Sequence, residues 1–153
     1  MKHSQTYSHR HGLEAVKEHD LIDEITDLLR APHIKVRPGA ASQINDHIKN
    51  ALLQNGWALS PPVHTGFNIT INAMKGRVGL TTQTGNTARA FYDLLKFQFL
   101  HTSNRIDAGV LLLPSIDAGR TLGHNIANFS RVTNELELYT HIVTVPCLIL
   151  SFD

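Results

Sequence analysis

Apolar and polar residues alternate through the middle of the chain, where Phe67, Ile69 and Ile71 are interleaved with Asn68, Thr70 and Asn72. After Met74-Lys75-Gly76 the alternation resumes, with Val78 and Leu80 set against Gly79, Thr81 and Gln83. Alternation with period two gives a strand one buried and one polar face, so a hairpin is predicted over 66–83 with its turn at 74–76. If both apolar faces pack on one core, Asn72, Thr81 and Gln83 gather on the opposite side of the sheet. Gly85-Asn86-Thr87 breaks the strand and caps a helix predicted from about Thr87 to His101. Ile106 to Leu113 is a continuous apolar run, as expected of a strand buried on both faces.

The flanking segments read as helices with shorter strands between them. Leu21, Ile22, Ile25, Leu28 and Leu29 recur at helical spacing, which predicts a helix from about His11 to Leu29, stopped by Ala31-Pro32. A short extended segment follows at His33 to Arg37. Ser42 is the expected N-cap of a second helix carrying Ile44, Ile48, Ala51 and Leu52 on one face, ended by Gly56 as a left-handed cap. Leu122, Ile126, Phe129, Val132 and Leu136 form the stripe of a helix over about Gly119 to Leu138. Ile142 to Val145 and Cys147 to Phe152 close the chain as strand, with Pro146 marking an edge or bulge.

Composition narrows the picture modestly. A chain of 153 residues with 42% hydrophobic and 18% charged residues suits one globular domain over 1–153, not a disordered one. A formal net charge of +1 gives no strong basic signal for nucleic acid, and it leaves room for basic groups confined to one cleft. The ten histidines are scattered, and His3, His9 and His11 fall in an end expected to fray. The single cysteine, Cys147, excludes an intramolecular disulfide and sits in an apolar run as a small buried hydrophobe. No apolar run approaches the ~20 residues that cross a bilayer and no signal sequence is evident, so a cytoplasmic protein is expected.

The stretch VGLTTQTGNTARAFYDLLKFQFLH followed by RIDAGVLLLP resembles the core of BglII/BstYI-type restriction endonucleases, the strand, helix and strand of the PD-(D/E)XK nuclease fold. YSHRHGLEAVKEHDLIDEITDLL is similar to that family's opening helix, and ASQINDHIKNALLQNGW to its Asn-bearing helix ending in Gly-Trp. The resemblance implies an α/β domain with a mixed sheet of about five strands flanked by helices. It also implies magnesium-dependent hydrolysis of double-stranded DNA by a homodimer. The family's catalytic strand carries an acidic residue, any residue, then Glu or Gln, and its other metal-binding Asp lies one hairpin strand earlier. On this chain those positions are Thr81, Gln83 and Asn72, so two acids are replaced by neutral groups.

Neutral oxygens hold magnesium weakly, because the ion favours hard, charged ligands. Two acids could stand in. Asp93 occupies the place of the family's helix Asp, and Glu14 matches a glutamate of the first helix that helps orient metal or water. Their bland alternatives are a structural hydrogen bond for Asp93 and a solvated helix charge for Glu14. Lys75, Arg77, Arg89 and Lys96 flank the polar face as candidate phosphate contacts, or as ordinary solvated surface. Three readings follow: a nuclease rebuilt around displaced acids, a catalytically inactive DNA-binding or regulatory relative, and an oligomeric scaffold that has lost both activities.

Overall fold

The apolar run at Ala108–Pro114 is buried at every position and lies inside the main sheet of the computed structural model, which describes residues 1–153. In chain order the elements are β1 (His3–His9), α1 (Gly12–Lys17), α2 (Ile22–Asp27), α3 (Ala41–Gln54), β2 (Ala58–Leu59), β3 (Pro62–His64) and β4 (Ile69–Thr70). Then follow β5 (Ala73–Lys75), β6 (Val78–Thr82), α4 (Thr87–Thr102), β7 (Ala108–Pro114), α5 (Ile116–Leu122), α6 (Phe129–Leu138) and β8 (Cys147–Phe152). The main sheet has the order β1-β8-β7-β6-β5-β2, and β3 and β4 form a separate pair. β6, β7 and β8 run parallel, while β1, β5 and β2 join antiparallel at the flanks. The expected α/β class with a mixed sheet is therefore observed, with six strands in the main sheet.

Alternate residues of β7 serve two cores. Ala108, Val110 and Leu112 face a cluster with Val16, Ile25, Ile44, Ile48 and Trp57 from α1, α2, α3 and the segment after α3. Leu111 and Leu113 face Leu94, Phe97, Val132 and Leu136 from α4 and α6. A strand covered on both sides has no polar face to present, which accounts for its unbroken apolar sequence. Cys147 lies in the second core, and burial pushes its thiol up to about 12.

The glycines of two neighbouring strands set the height of α4. Gly79 and Gly109 are register partners in β6 and β7. A Cβ at 109 would lie 2.5 Å from Phe97 Cδ2, and one at 79 would lie 3.4 Å from Phe97 Cε1. The Phe97 ring thus beds on bare backbone, and Asp93, one turn earlier on the same helix face, is carried to the end of β6.

Several predicted elements are divided or displaced. The N-terminal end does not fray: β1 pairs with β8 from His3↔Phe152 to His9↔Cys147, and buried His9 places Nε2 2.6 Å from the Val143 carbonyl oxygen. The helix expected over 11–29 is two short ones, with Asp20 between them at φ 56. Residues 33–37 are a loop, and α3 starts from Ala40 with no side-chain cap, in place of Ser42. Gly56 adopts φ 78, as expected of the residue after a helix end.

The alternating stretch at 66–72 is no single strand, because Ile69–Thr70 pairs with β3 while Ala73–Lys75 pairs with β6. The hairpin turn therefore lies at Gly76-Arg77, with Met74 and Lys75 inside the strand. The helix expected over 119–138 breaks at Gly123, and α6 restarts where Asn128 Oδ1 accepts the Arg131 N–H at 3.1 Å. Residues 142–145 make turns and loop, with Gln98 Oε1 accepting the N–H groups of Thr144 and Val145.

One close approach makes a stringent test. α1 lies directly on β8 at Gly12, where a Cβ would come within 2.1 Å of the Cys147 carbonyl carbon and oxygen. Backbone cannot yield as a side-chain tip does, so Gly12→Ala is expected to cost about 3 kcal/mol. Urea unfolding followed by circular dichroism would show this as a lowered midpoint, and an unchanged midpoint would contradict the packing of α1.

Candidate functional site

At its C-terminal end β6 outruns its antiparallel partner, and the missing hydrogen bonds there are made by side chains. β5 pairs with β6 through Ala73↔Leu80, so Thr81 and Thr82 lie past the last pair of that ladder. Asn72 fills the gap: its Oδ1 accepts the Thr82 N–H at 2.7 Å, and its own N–H is donated to Thr81 Oγ1 at 3.4 Å. Its carbonyl oxygen accepts the Ser60 N–H at 2.8 Å. Thr81 is buried. The other end of the Asn72 amide is the NH2, which only donates.

One step further along the chain, Gln83 is equally committed. Its Nε2 donates to Asp93 Oδ2 at 2.6 Å, and its Oε1 accepts the Gly85 N–H at 2.8 Å. The Asp93 side chain is 5% exposed, and Lys96 Nζ donates to its other oxygen at 2.9 Å. The ammonium of Lys96 also lies 4.6 Å from the centre of the Tyr92 ring. A carboxylate withdrawn from water in this way requires paired charge and hydrogen bonds, and both Asp93 oxygens have them.

The sequence-derived residues are thus brought together in part. Asn72 bonds to Thr81 and to the Thr82 backbone, and Gln83 bonds to Asp93, all around the end of β6. Glu14 is elsewhere. It accepts the Ser8 hydroxyl at 3.3 Å, beside β1, three strands away from β6, or about 14 Å at ordinary strand spacing. Its helix also packs on the face opposite α4. No group of three or more His, Cys, Asp or Glu side chains is placed to hold a metal ion.

Of the four candidate phosphate-binding cations, three have internal partners. Lys75 Nζ donates to Glu24 Oε2 and to the Asn55 carbonyl, both at 2.8 Å. Arg77 clasps Asp107 and Asn104, tying the hairpin turn to the start of β7. Burial works to raise the Asp107 carboxyl, but the bonds from Arg77 and His19 outweigh it and hold it below the usual carboxylate range. Lys96 is committed to Asp93. Arg89 is exposed in the first turn of α4, and its guanidinium enters no hydrogen bond or ion pair.

A polar cavity of about 240 Å³ opens beside Asn72, lined in part by Asn45, Asp46, Lys49, Ser60 and Thr82. Pattern reading passed over the α3 contribution, because Asn45, Asp46 and Lys49 look like any solvated helix face. Their i, i+1, i+4 spacing is the signal that puts them on one side. Asn45 is tied to the loop after β6 by its Nδ2, which donates to Thr84 Oγ1 at 3.1 Å. Lys49 takes part in no ion pair.

This donor set does not suit a magnesium ion. Asn72 and Thr81 offer only neutral oxygens, each already accepting a backbone N–H, and the Asp93 carboxylate is paired with Lys96.

Comparison with known proteins bears on the family and the fold. Ten chains among the solved structures match, and two of them are matched over the whole of this chain. One is restriction endonuclease BglII complexed with a DNA 16-mer, at 15% identity and TM-score 0.84 over 78% of that chain. The other is free BglII, at 16% identity and TM-score 0.74 over 80% of that chain. A search of curated protein sequences gave no match. Residues 4–152 match the family described as restriction endonuclease BglII/BglIII, to which this chain therefore belongs.

Proposed function

We propose that the chain binds double-stranded DNA as a homodimer and does not cleave it. The observation that carries this reading is the closed network at the end of β6. Phosphodiester hydrolysis in a metal-dependent nuclease needs anionic oxygens to hold the ion that activates water. Here the two acidic positions are an amide and a hydroxyl that serve the backbone, and the nearest helix acid is held by Lys96 and Gln83. Magnesium is accordingly left out of the proposal.

Duplex DNA as the partner is supported by family membership and by the DNA 16-mer bound in the solved BglII complex. Arg89 and Lys49 are the cations left without internal partners around this site, and they are the proposed phosphate contacts. Two such residues in each of two protomers give a salt slope of about −3 to −4 in log affinity against log salt. Such binding is weakly sequence-dependent unless other loops read bases.

A second copy is the proposed occupant of the outer face of α4. Tyr92, Leu95 and Phe99 are 47%, 52% and 44% exposed along one stripe, and Phe67 beside them is 65% exposed. With Val63 and Ile69 they line one almost wholly apolar patch. Contiguous apolar surface of this kind marks an interaction site, and a twofold axis lets one patch cover its copy.

Incubation with supercoiled plasmid and magnesium or manganese is expected to yield no nicked or linear product. Fluorescence anisotropy in EDTA should show duplex binding, weakened about tenfold or more by Arg89→Ala combined with Lys49→Ala. Cutting by the parent chain that disappears in Asp93→Asn, with its melting temperature retained, would overturn the proposal in favour of a rebuilt nuclease. Light scattering at micromolar concentration should give the dimer mass for the parent and the monomer mass for Leu95→Glu/Phe99→Glu. A monomeric parent would contradict the α4 interface.

A further inference from the structure

We propose that His64 makes the α4 interface pH-dependent: two copies associate while its imidazole is neutral and separate when it gains a proton. This regulation belongs to the second-copy reading of the α4 face and rests on it.

His64 ends β3 and pairs with Ile69 across the turn formed by residues 65–68. Its Nδ1 accepts the Gly66 N–H at 2.9 Å, which closes that turn. A ring nitrogen that accepts carries no proton, so this bond exists only with the neutral ring protonated on Nε2. The same ring lies beside two phenylalanines of the apolar patch. Its centre is 5.1 Å from that of Phe67, within the turn, and 6.0 Å from that of Phe99 on α4. His64 therefore joins the β3–β4 turn to the helix, and all three rings line the face offered to the second copy.

A proton on Nδ1 acts there in two ways. It turns an acceptor into a donor facing another donor, so the Gly66 bond is lost. It also places a cation on surface that a second copy seals from water, where an unpaired charge is costly. Attraction between the cation and the aromatic rings offsets only part of that cost. No carboxylate lines the patch to offset the rest, since its other titratable groups are Tyr92 and Lys96. Asp93, which Lys96 meets, already has both oxygens taken by Lys96 and Gln83. Arg105 adds a second cation nearby, donating to the carbonyl oxygens of Pro62 and Val63, the two residues before His64. A twofold axis brings the same groups from the other copy, so the surroundings are cationic throughout.

Because the dimer favours the neutral ring, the separated chains bind more protons, and association weakens as pH falls. Histidine changes charge between about pH 5 and 8, which sets the window.

Sedimentation equilibrium of the full chain at constant salt, from about pH 8 to about pH 5.5, tests this. The dimer dissociation constant is expected to rise about 10- to 100-fold, with the circular dichroism of the fold unchanged. His64→Asn keeps an oxygen for the Gly66 N–H, and His64→Phe keeps the ring; neither takes up a proton. Dimers of these variants should change their dissociation constant by less than about threefold over the same range. His64→Arg, charged throughout, should be monomeric at both ends. A parent dimer indifferent to pH would overturn the switch and leave the α4 interface standing. So would a pH response that persists in both neutral variants, which would assign it to another group. Loss of the dimer at pH 8 in both of them would show that His64 only packs, and a parent that separates only as it unfolds would also overturn the proposal. A parent that is monomeric even at pH 8 would overturn the interface and the switch together.

Discussion

A carboxylate buried on the inner face of α4 is the constraint on which this site depends. Asp93 is carried under the helix because Phe97, four residues on, sinks into the slot left by Gly79 and Gly109. At that depth its charge must be met locally, and Lys96 and Gln83 meet it. Gln83 is thereby turned toward the helix, and its remaining oxygen is used to hold the Gly85 turn that leads into α4. Packing in the helix–sheet interface and polar bonding at the strand end are thus one unit. Removing the carboxylate would leave an ammonium and an amide without partners in a mostly buried place.

On the other side of Thr81 the same strand end is completed by Asn72. An Asp at that position has a second oxygen to offer a cation after accepting the Thr82 N–H. Asn has an NH2 in its place, so one exchange of oxygen for nitrogen reverses what the position can bind while keeping the bond that supports the strand. The strand end is thus supported without a charge at position 72. The scaffold needs an acceptor for the Thr82 N–H, and it does not need a charge.

Much of the fold was legible where burial is complete. The doubly covered β7 announced itself as an apolar run, and α4 by its Asn86 cap and apolar spacing. Elements at the rim were not legible, because their structure comes from distant partners. β1 is a polar edge strand whose reason for existing is β8, at the other end of the chain. The stretch at 66–72 has clean alternation, yet it is shared between two sheets, which periodicity alone cannot show. Asn72, Thr81 and Gln83 were located by family resemblance, and Glu14 came by the same route but lies beside β1. Asn45, Asp46 and Lys49 were missed because a helix face exposed to water and one facing a cavity have the same sequence.

The end of β6 presents neutral, hydrogen-bonded groups in place of metal ligands. Calorimetric titration of the folded chain with manganese, a cation that binds the same hard-oxygen sites as magnesium, would show whether any ion is held there. The prediction is dilution heat alone across the millimolar range, with saturable binding gained once Asn72→Asp and Thr81→Glu are introduced together. Saturable binding by the parent chain that is lost in Asn72→Ala would contradict it, and would place a metal where the structure puts an amide.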